Sequence, residues 1–335
     1  MSALPSQLRV YSPSGAFSIA GTLVSLVAGS AAGVILGAVY AYANHHSPII
    51  YLNVFLTMGF GFALGWLNAK SIHMFHIRNG IVAAAIGLIV FAVAYVAHWC
   101  VYIPAVLVSF NENVSSLNIP LILETAVDFA KNPGMTWEWI KAINENGVWS
   151  ITSPGSRGSG IPVSGIFLTL IWIAEAGIIG FMSVSMSCEK AGKPYSERQG
   201  KWLTAKALPA NIAFVDNRDG FLNALARGDY SALTTPLKTP SEEITNYASV
   251  VLYSDAFEPY VSVSNVTLHG ASNASSAETQ APKPPNRGKK WLGRLTGCFK
   301  GSSSKKEGES SVDVIVEYLK ITPTAAQNIT NALDV

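Results

Sequence analysis

Between Met1 and Phe110 the chain carries only three residues of the Asp, Glu, Lys and Arg class: Arg9, Lys70 and Arg78. A water-soluble globule cannot cover itself with so few charges, so this third of the sequence must face lipid. Over all 335 residues, 49% are hydrophobic and 13% charged. A soluble domain usually carries about 25% charged residues. These numbers exclude an intrinsically disordered chain and a nucleic-acid-binding domain, and three cysteines cannot build a secreted disulfide scaffold. The net charge of +2 says little about partners.

Four stretches are long and apolar enough to cross a bilayer, which takes about 20 helical residues. They run from Ala16 to Ala43, Ile49 to Ala69, Gly80 to Ile103 and Pro162 to Ser187. The first is far longer than the apolar region of a signal peptide, about 7–15 residues, so it reads as a retained span. Lys and Arg concentrate on the cytoplasmic side of spans. Lys70 and Arg78 lie between the second and third, and Lys190, Lys193, Arg198, Lys201 and Lys206 follow the fourth. The link Asn44–Pro48 has neither residue type, and in the link 109–160 three basic residues are outweighed by five carboxylates. The expectation is a four-span inner-membrane protein with both termini cytoplasmic.

The 109–160 link reads as amphipathic. Ile119 to Lys131 places Leu121, Ile122, Ala126 and Phe129 at helical spacing, with Pro120 at its start and Asn132-Pro133-Gly134 at its end. A second short helix, Thr136 to Asn144, carries Trp137 and Trp139, and Trp149 follows. Their simplest role is interfacial anchoring, with a ligand-binding aromatic cluster as the alternative.

From Cys188 the composition becomes ordinary, with 17 basic and 15 acidic residues. A helix from Asp219 to Ala232, broken at Gly228, precedes strands at Tyr247–Ser254, Pro259–Leu268 and Val312–Ile321. A last helix, Pro323–Leu333, has Thr322 as N-cap. The expected fold class is therefore membrane α-helical: four transmembrane helices (1–187) plus a small cytoplasmic α+β domain (188–335) with a three-stranded antiparallel meander. The segment 270–311 is rich in Ser, Gly, Pro and Lys and reads as a disordered basic insertion. Within it Lys289, Lys290, Trp291, Arg294 and Lys300 mix cations with an aromatic ring. That pattern suits either a solvated loop or contact with anionic lipid headgroups, where each Lys or Arg contributes about 1 kcal/mol. One short patch without a fold motif argues against nucleic acid.

The clearest motif lies in the first span, where Gly21, Ser25, Gly29, Gly33 and Gly37 recur every four residues. Thr57, Gly61 and Gly65 form a shorter stripe in the second. Small residues let helices approach backbone to backbone where lipid removes the hydrophobic driving force. The stripes predict tight packing, within one chain or in a homo-oligomer. Glu175 sits near the middle of the fourth span, where an ionisable group costs about 2.5–3.5 kcal/mol. It must be protonated, paired or beside water, and it serves either to hydrogen-bond a neighbouring helix or to act on a substrate or ion. His98, Tyr51 and Asn53 complete the intramembrane polar candidates. At 1.5 Å rise per residue, His98 falls nearer an interface than Glu175, so the two need not touch. His73 and His76 lack the Cys or carboxylate companions of a zinc site, and neither metal nor cofactor is expected. Arg227-Gly228-Asp229 spells an adhesion tripeptide, but on the inner side in this topology.

Several short motifs resemble a family of bacterial inner-membrane proteins to which no activity is assigned. They are Pro48-Ile49-Ile50-Tyr51-Leu52-Asn53, Arg78-Asn79, Asn146-Gly147-Val148-Trp149, Trp172 with Glu175-Ala176, and Pro194-Tyr195-Ser196-Glu197 with Trp202. The resemblance covers about 200 residues. Such relatives show cysteines after the inner proline, a candidate metal site. Here Ser196 and Gln199 occupy that stretch, so the resemblance implies no metal. The leading expectation is a membrane anchor or assembly component that presents a cytoplasmic domain to a protein partner. The alternative is a small transporter or channel that uses Glu175. No catalytic set is visible, so an enzyme ranks third.

Overall fold

The computed structural model describes residues 8–47, 50–110, 118–147, 150–151, 161–237, 246–254, 257–268 and 310–334. Two compact units emerge, one of residues 15–191 and one joining residues up to 14 with 192–335.

The first unit contains α1 (Ile19–His45), α2 (Ile50–Met74), α3 (Gly80–Ser109), α4 (Ile119–Lys131), α5 (Pro133–Asn146), the pair β1 (Ser150–Ile151) and β2 (Ile161–Pro162), and α6 (Ile166–Ala191). Helices α1, α2, α3 and α6 are long and apolar enough to cross a membrane. Each runs past the apolar stretch that marks it in the sequence. Capping decides two of the ends: Ser18 Oγ accepts from the Gly21 amide, and Asn79 Oδ1 accepts from Ile81 and Val82.

Helix α1 packs mainly on α3, and α2 on α6, with α3 also against α6. Gly21, Ser25, Gly29, Gly33 and Gly37 are all buried. The reason is backbone proximity. A Cβ on Gly37 would collide with the Ala94 carbonyl of α3. On the other side of the bundle, a Cβ on Gly65 would lie 2.8 Å from the Met182 carbonyl, and one on Gly87 2.9 Å from that of Ser183. Hydroxyl and amide groups occupy the same close seams. Ser71 Oγ donates to Ser25 Oγ (2.7 Å), Asn68 Nδ2 to Ser183 Oγ (3.0 Å), and Ser183 Oγ to the Gly87 carbonyl (2.8 Å).

Helices α4 and α5 fold back on the bundle. Asn118 caps α4, whose Ile122, Ala126 and Phe129 are buried while Leu121, Leu123 and Val127 stay exposed. Trp137 and Trp139 of α5 are also exposed. Asn144 Nδ2 donates to the Gly165 carbonyl and to Thr169 Oγ1, tying α5 to the start of α6. Trp149 lies outside the described residues.

The second unit holds the hairpin of β3 (Tyr195–Ser196) and β4 (Lys201–Trp202), then β5 (Thr204–Ala207), α7 (Arg218–Ala226), a 3₁₀ turn at Ser231–Leu233, β6 (Asn246–Ser254), β7 (Tyr260–Leu268), β8 (Ser310–Lys320) and α8 (Pro323–Leu333). The main sheet is antiparallel with order β5-β6-β7-β8, four strands where the sequence predicts three. The added edge strand is four residues long and exposed throughout, so it carries no alternation to detect. Its core joins Leu222, Leu225, Val250, Val263, Ile315 and Ile329, among others. The predicted break within 219–232 falls where expected: α7 ends at Ala226, Gly228 turns at φ 80°, and Asp229 Oδ1 accepts from the Ser231 amide. The Ser231 hydroxyl, and then this amide, hold the Asp229 carboxyl below its usual range. Asn265, buried in β7, brackets Val215 by accepting from its amide and donating to its carbonyl, both at 3.0 Å. Residues before α1 also join this sheet: Val10 pairs with Leu319, and the Tyr11 amide donates to the Tyr318 carbonyl at 2.9 Å. The segment 270–309, with Lys289, Lys290, Trp291, Arg294 and Lys300, lies outside the described residues.

If close approach governs the bundle, a single methyl should discriminate between glycines. Gly37→Ala should cost about 1–3 kcal/mol, a typical penalty for overpacking. Gly59→Ala, with nothing within 4 Å of its Cβ position, should be neutral. Thermal unfolding in detergent compares the two. Equal melting temperatures would refute the close-contact account.

Candidate functional site

The polar candidates gather at the end of the bundle where α1 meets α2 and where α3 and α6 meet the connecting helices. Helix α3 supplies the scaffold. Tyr95, His98, Trp99 and Tyr102 fall three, four and seven residues apart, which places them on one broad helix face. His98 is only 3% exposed. Rings surround its imidazole: Tyr40 at 4.9 Å, Trp99 at 5.3 Å, Tyr102 at 5.5 Å and Tyr95 at 5.8 Å between centroids. Its Nδ1 is buried and has no hydrogen-bond partner among the described residues. Buried polar atoms are normally paired, so this nitrogen calls for an explanation.

Tyr40 closes the shell from α1. Its ring stacks on Phe60 at 4.7 Å, and its hydroxyl pairs with Thr57 Oγ1 at 2.9 Å. Thr57 in turn donates to the Asn53 carbonyl (2.8 Å), while Asn53 Oδ1 is buried without a partner among the described residues. Asn53 thus enters the site through its backbone. The side chain of Tyr51 lies outside the described residues.

Glu175 reaches the shell from α6. Leu168 and Ile179, seven residues before and four after it, are buried, so Glu175 shares the inward face of the helix. It is half-buried itself, and its carboxyl interacts electrostatically with the hydroxyls of Tyr40, Tyr95 and Tyr102. Among the described residues it has neither a hydrogen-bond nor an ion-pair partner. Trp172, one turn earlier, meets Trp99 edge-on at 4.8 Å, and its carbonyl accepts from the Tyr95 hydroxyl at 3.4 Å. His98 and Glu175, separated by depth in the sequence reading, therefore share one set of tyrosines.

Sequence reasoning missed Tyr40, Tyr95 and Tyr102, which read individually as ordinary span residues. The i, i+3, i+7 spacing of Tyr95, His98 and Tyr102 was the available signal. It also missed Asn68, fully buried in α2 with Oδ1 unpartnered among the described residues. No group of three His, Cys, Asp or Glu side chains that could hold a metal occurs among the described residues. Two clefts, of about 520 and 480 Å³, are lined wholly by residues of the sheet unit.

The orphaned nitrogen makes His98 testable. His98→Phe keeps a ring in the shell and removes a buried unpaired polar atom, whose cost is about 1–3 kcal/mol. Its melting temperature should equal or exceed that of the parent. His98→Ala should lose about 2–4 kcal/mol through the cavity it leaves. A Phe variant as unstable as the Ala variant would mean that the imidazole makes a stabilising bond. No family profile, no curated protein and no solved structure matches this chain.

Proposed function

We propose that the protein is a multi-pass component of the cytoplasmic membrane that anchors and presents its sheet unit. On this reading both chain ends are cytoplasmic, and the molecule acts as an anchor or assembly component. The pairing of Val10 with Leu319 carries the argument. Those residues flank the four apolar helices, and hydrogen-bonded strands must lie on one side of any membrane the helices cross. Four crossings, an even number, satisfy that condition. Lys70, Arg78, Lys190 and Lys193, near helix ends on that same side of the scheme, support a cytoplasmic assignment. The sheet unit has its own apolar core, as a presented domain requires. The basic stretch from Lys289 to Lys300 suits contact with anionic headgroups. The partner of the sheet unit is another membrane-associated protein or a second copy of the chain.

Reporter fusions after Ala69 and after Lys206 should both read as cytoplasmic, and one near Asn132 as external. An external result at Lys206 would overturn the topology. Co-purification of the full chain from native membrane should recover a stoichiometric companion or a homo-oligomer. Recovery of a bare monomer would reject the assembly role.

A second reading is a small transporter or channel, favoured by three polar groups of the bundle without hydrogen-bond partners among the described residues: the Glu175 carboxyl, His98 Nδ1 and Asn53 Oδ1. Glu175→Gln preserves shape and most hydrogen bonds. If the carboxyl only packs, folding and cellular phenotype should survive the change. A stable Gln variant without function would promote transport over anchoring.

A further inference from the structure

Among the polar features of the bundle, the Glu175 shell combines a half-buried carboxyl with several aromatic rings. We propose that it is a binding site for a lipophilic organic cation, an alkyl- or aryl-substituted ammonium or phosphonium. The inference goes beyond the anchor reading and names a ligand class for the transport reading, although binding does not require transport.

Three observations converge on a cation. First, Glu175 faces inward on α6 without a partner among the described residues, so its ionised form has no counter-charge there and a bound cation would supply one. Second, its neighbours are aromatic. Trp172 stands one turn away on the same helix, with its ring 4.8 Å from that of Trp99 and its carbonyl 3.4 Å from the Tyr95 hydroxyl, and Tyr102 meets Trp99 at 5.8 Å. Aromatic faces carry negative electrostatic potential and attract cations, Trp most strongly. Third, Trp172, Glu175, Tyr95 and Tyr102 are each half-buried, so part of each side chain remains open to an incoming group.

The same features disfavour other guests. An inorganic divalent ion needs several oxygen or nitrogen ligands, and the described residues bring no such group together. A neutral aromatic would leave the carboxyl as unpaired as before. A cation with apolar substituents matches both the charge and the rings. His98, 3% exposed, packs against the rings of Tyr40, Tyr95 and Tyr102.

The test uses the full chain in phosphatidylcholine nanodiscs with radiolabelled tetraphenylphosphonium in equilibrium dialysis. Binding should be saturable, displaced by unlabelled tetraphenylphosphonium and not by neutral triphenylphosphine oxide. Glu175→Gln should weaken binding by about tenfold or more with an unchanged melting temperature, because the counter-charge is gone. Tyr95→Leu should weaken it by about threefold to tenfold and Tyr95→Phe should not, because the ring matters and the hydroxyl does not. If the Gln variant does not fold, Glu175→Asp, which keeps the charge, and the Tyr95 pair decide the matter. Non-saturable partitioning alone, equal displacement by the neutral oxide, or full binding by a folded Gln variant would overturn the proposal. Saturable binding without uptake in proteoliposomes would retain the site and dismiss transport alone.

Discussion

Everything in the helical unit depends on backbone meeting backbone. Apolar helices gain nothing by hiding Leu from lipid, so association must come from van der Waals fit and interhelical hydrogen bonds. Gly37 on α1, Gly65 on α2 and Gly87 on α3 each bring a neighbour's carbonyl to where a Cβ would sit. The three contacts join α1 to α3, α3 to α6 and α2 to α6. Once the backbones are this close, short polar side chains can bridge them. Ser25 meets Ser71, and Asn68 reaches Ser183, which bonds the Gly87 carbonyl.

The aromatic site sits where that regime gives out. Beyond Gly37 the α1 stripe continues with Tyr40 and Ala41, and α3 changes from Ala83, Gly87 and Ala94 to Tyr95, His98, Trp99 and Tyr102. Large rings replace absent side chains as the filling between helices. The close approach at Gly37 also touches the His98 amide position, since a Cβ there would lie 3.2 Å from that nitrogen. One glycine therefore sets how near Tyr40 comes to the imidazole. The shell is buried on the α1 side, at Tyr40, and more exposed on the α6 side, where Trp172 and Glu175 are half-buried.

Most of the secondary structure was legible because its signals are long-range averages. The charge-poor stretches announce the four long helices, and Pro323–Leu333 is announced by Thr322 and proline at its first turn. The Gly21–Gly37 stripe was visible because it repeats five times. Gly87 does the same work once, and a single glycine among alanines has no period to notice. Strand β5 escaped because an exposed edge strand of four residues has neither length nor alternation. The shell around Glu175 was hidden for a different reason. Its members come from three helices, and sequence spacing orders residues only within one. A depth argument could place His98 and Glu175 at different levels but could not supply the tyrosines between them.

The stitch between Val10 and Leu319 bears on how the molecule is made. Residues 9–11 are made well before the strand they pair with, since the long helices and the other strands of the sheet lie between them in the chain. The four long helices and the rest of the sheet are synthesised while that segment waits without its partner. A contact of such sequence separation closes late and slowly, since the chain entropy of the intervening loop must be overcome before any bond forms. Until it closes, the edge of β8 is open to other strands. The return of this segment to β8 is thus a late event in folding, and mispairing between chains is most exposed until it happens.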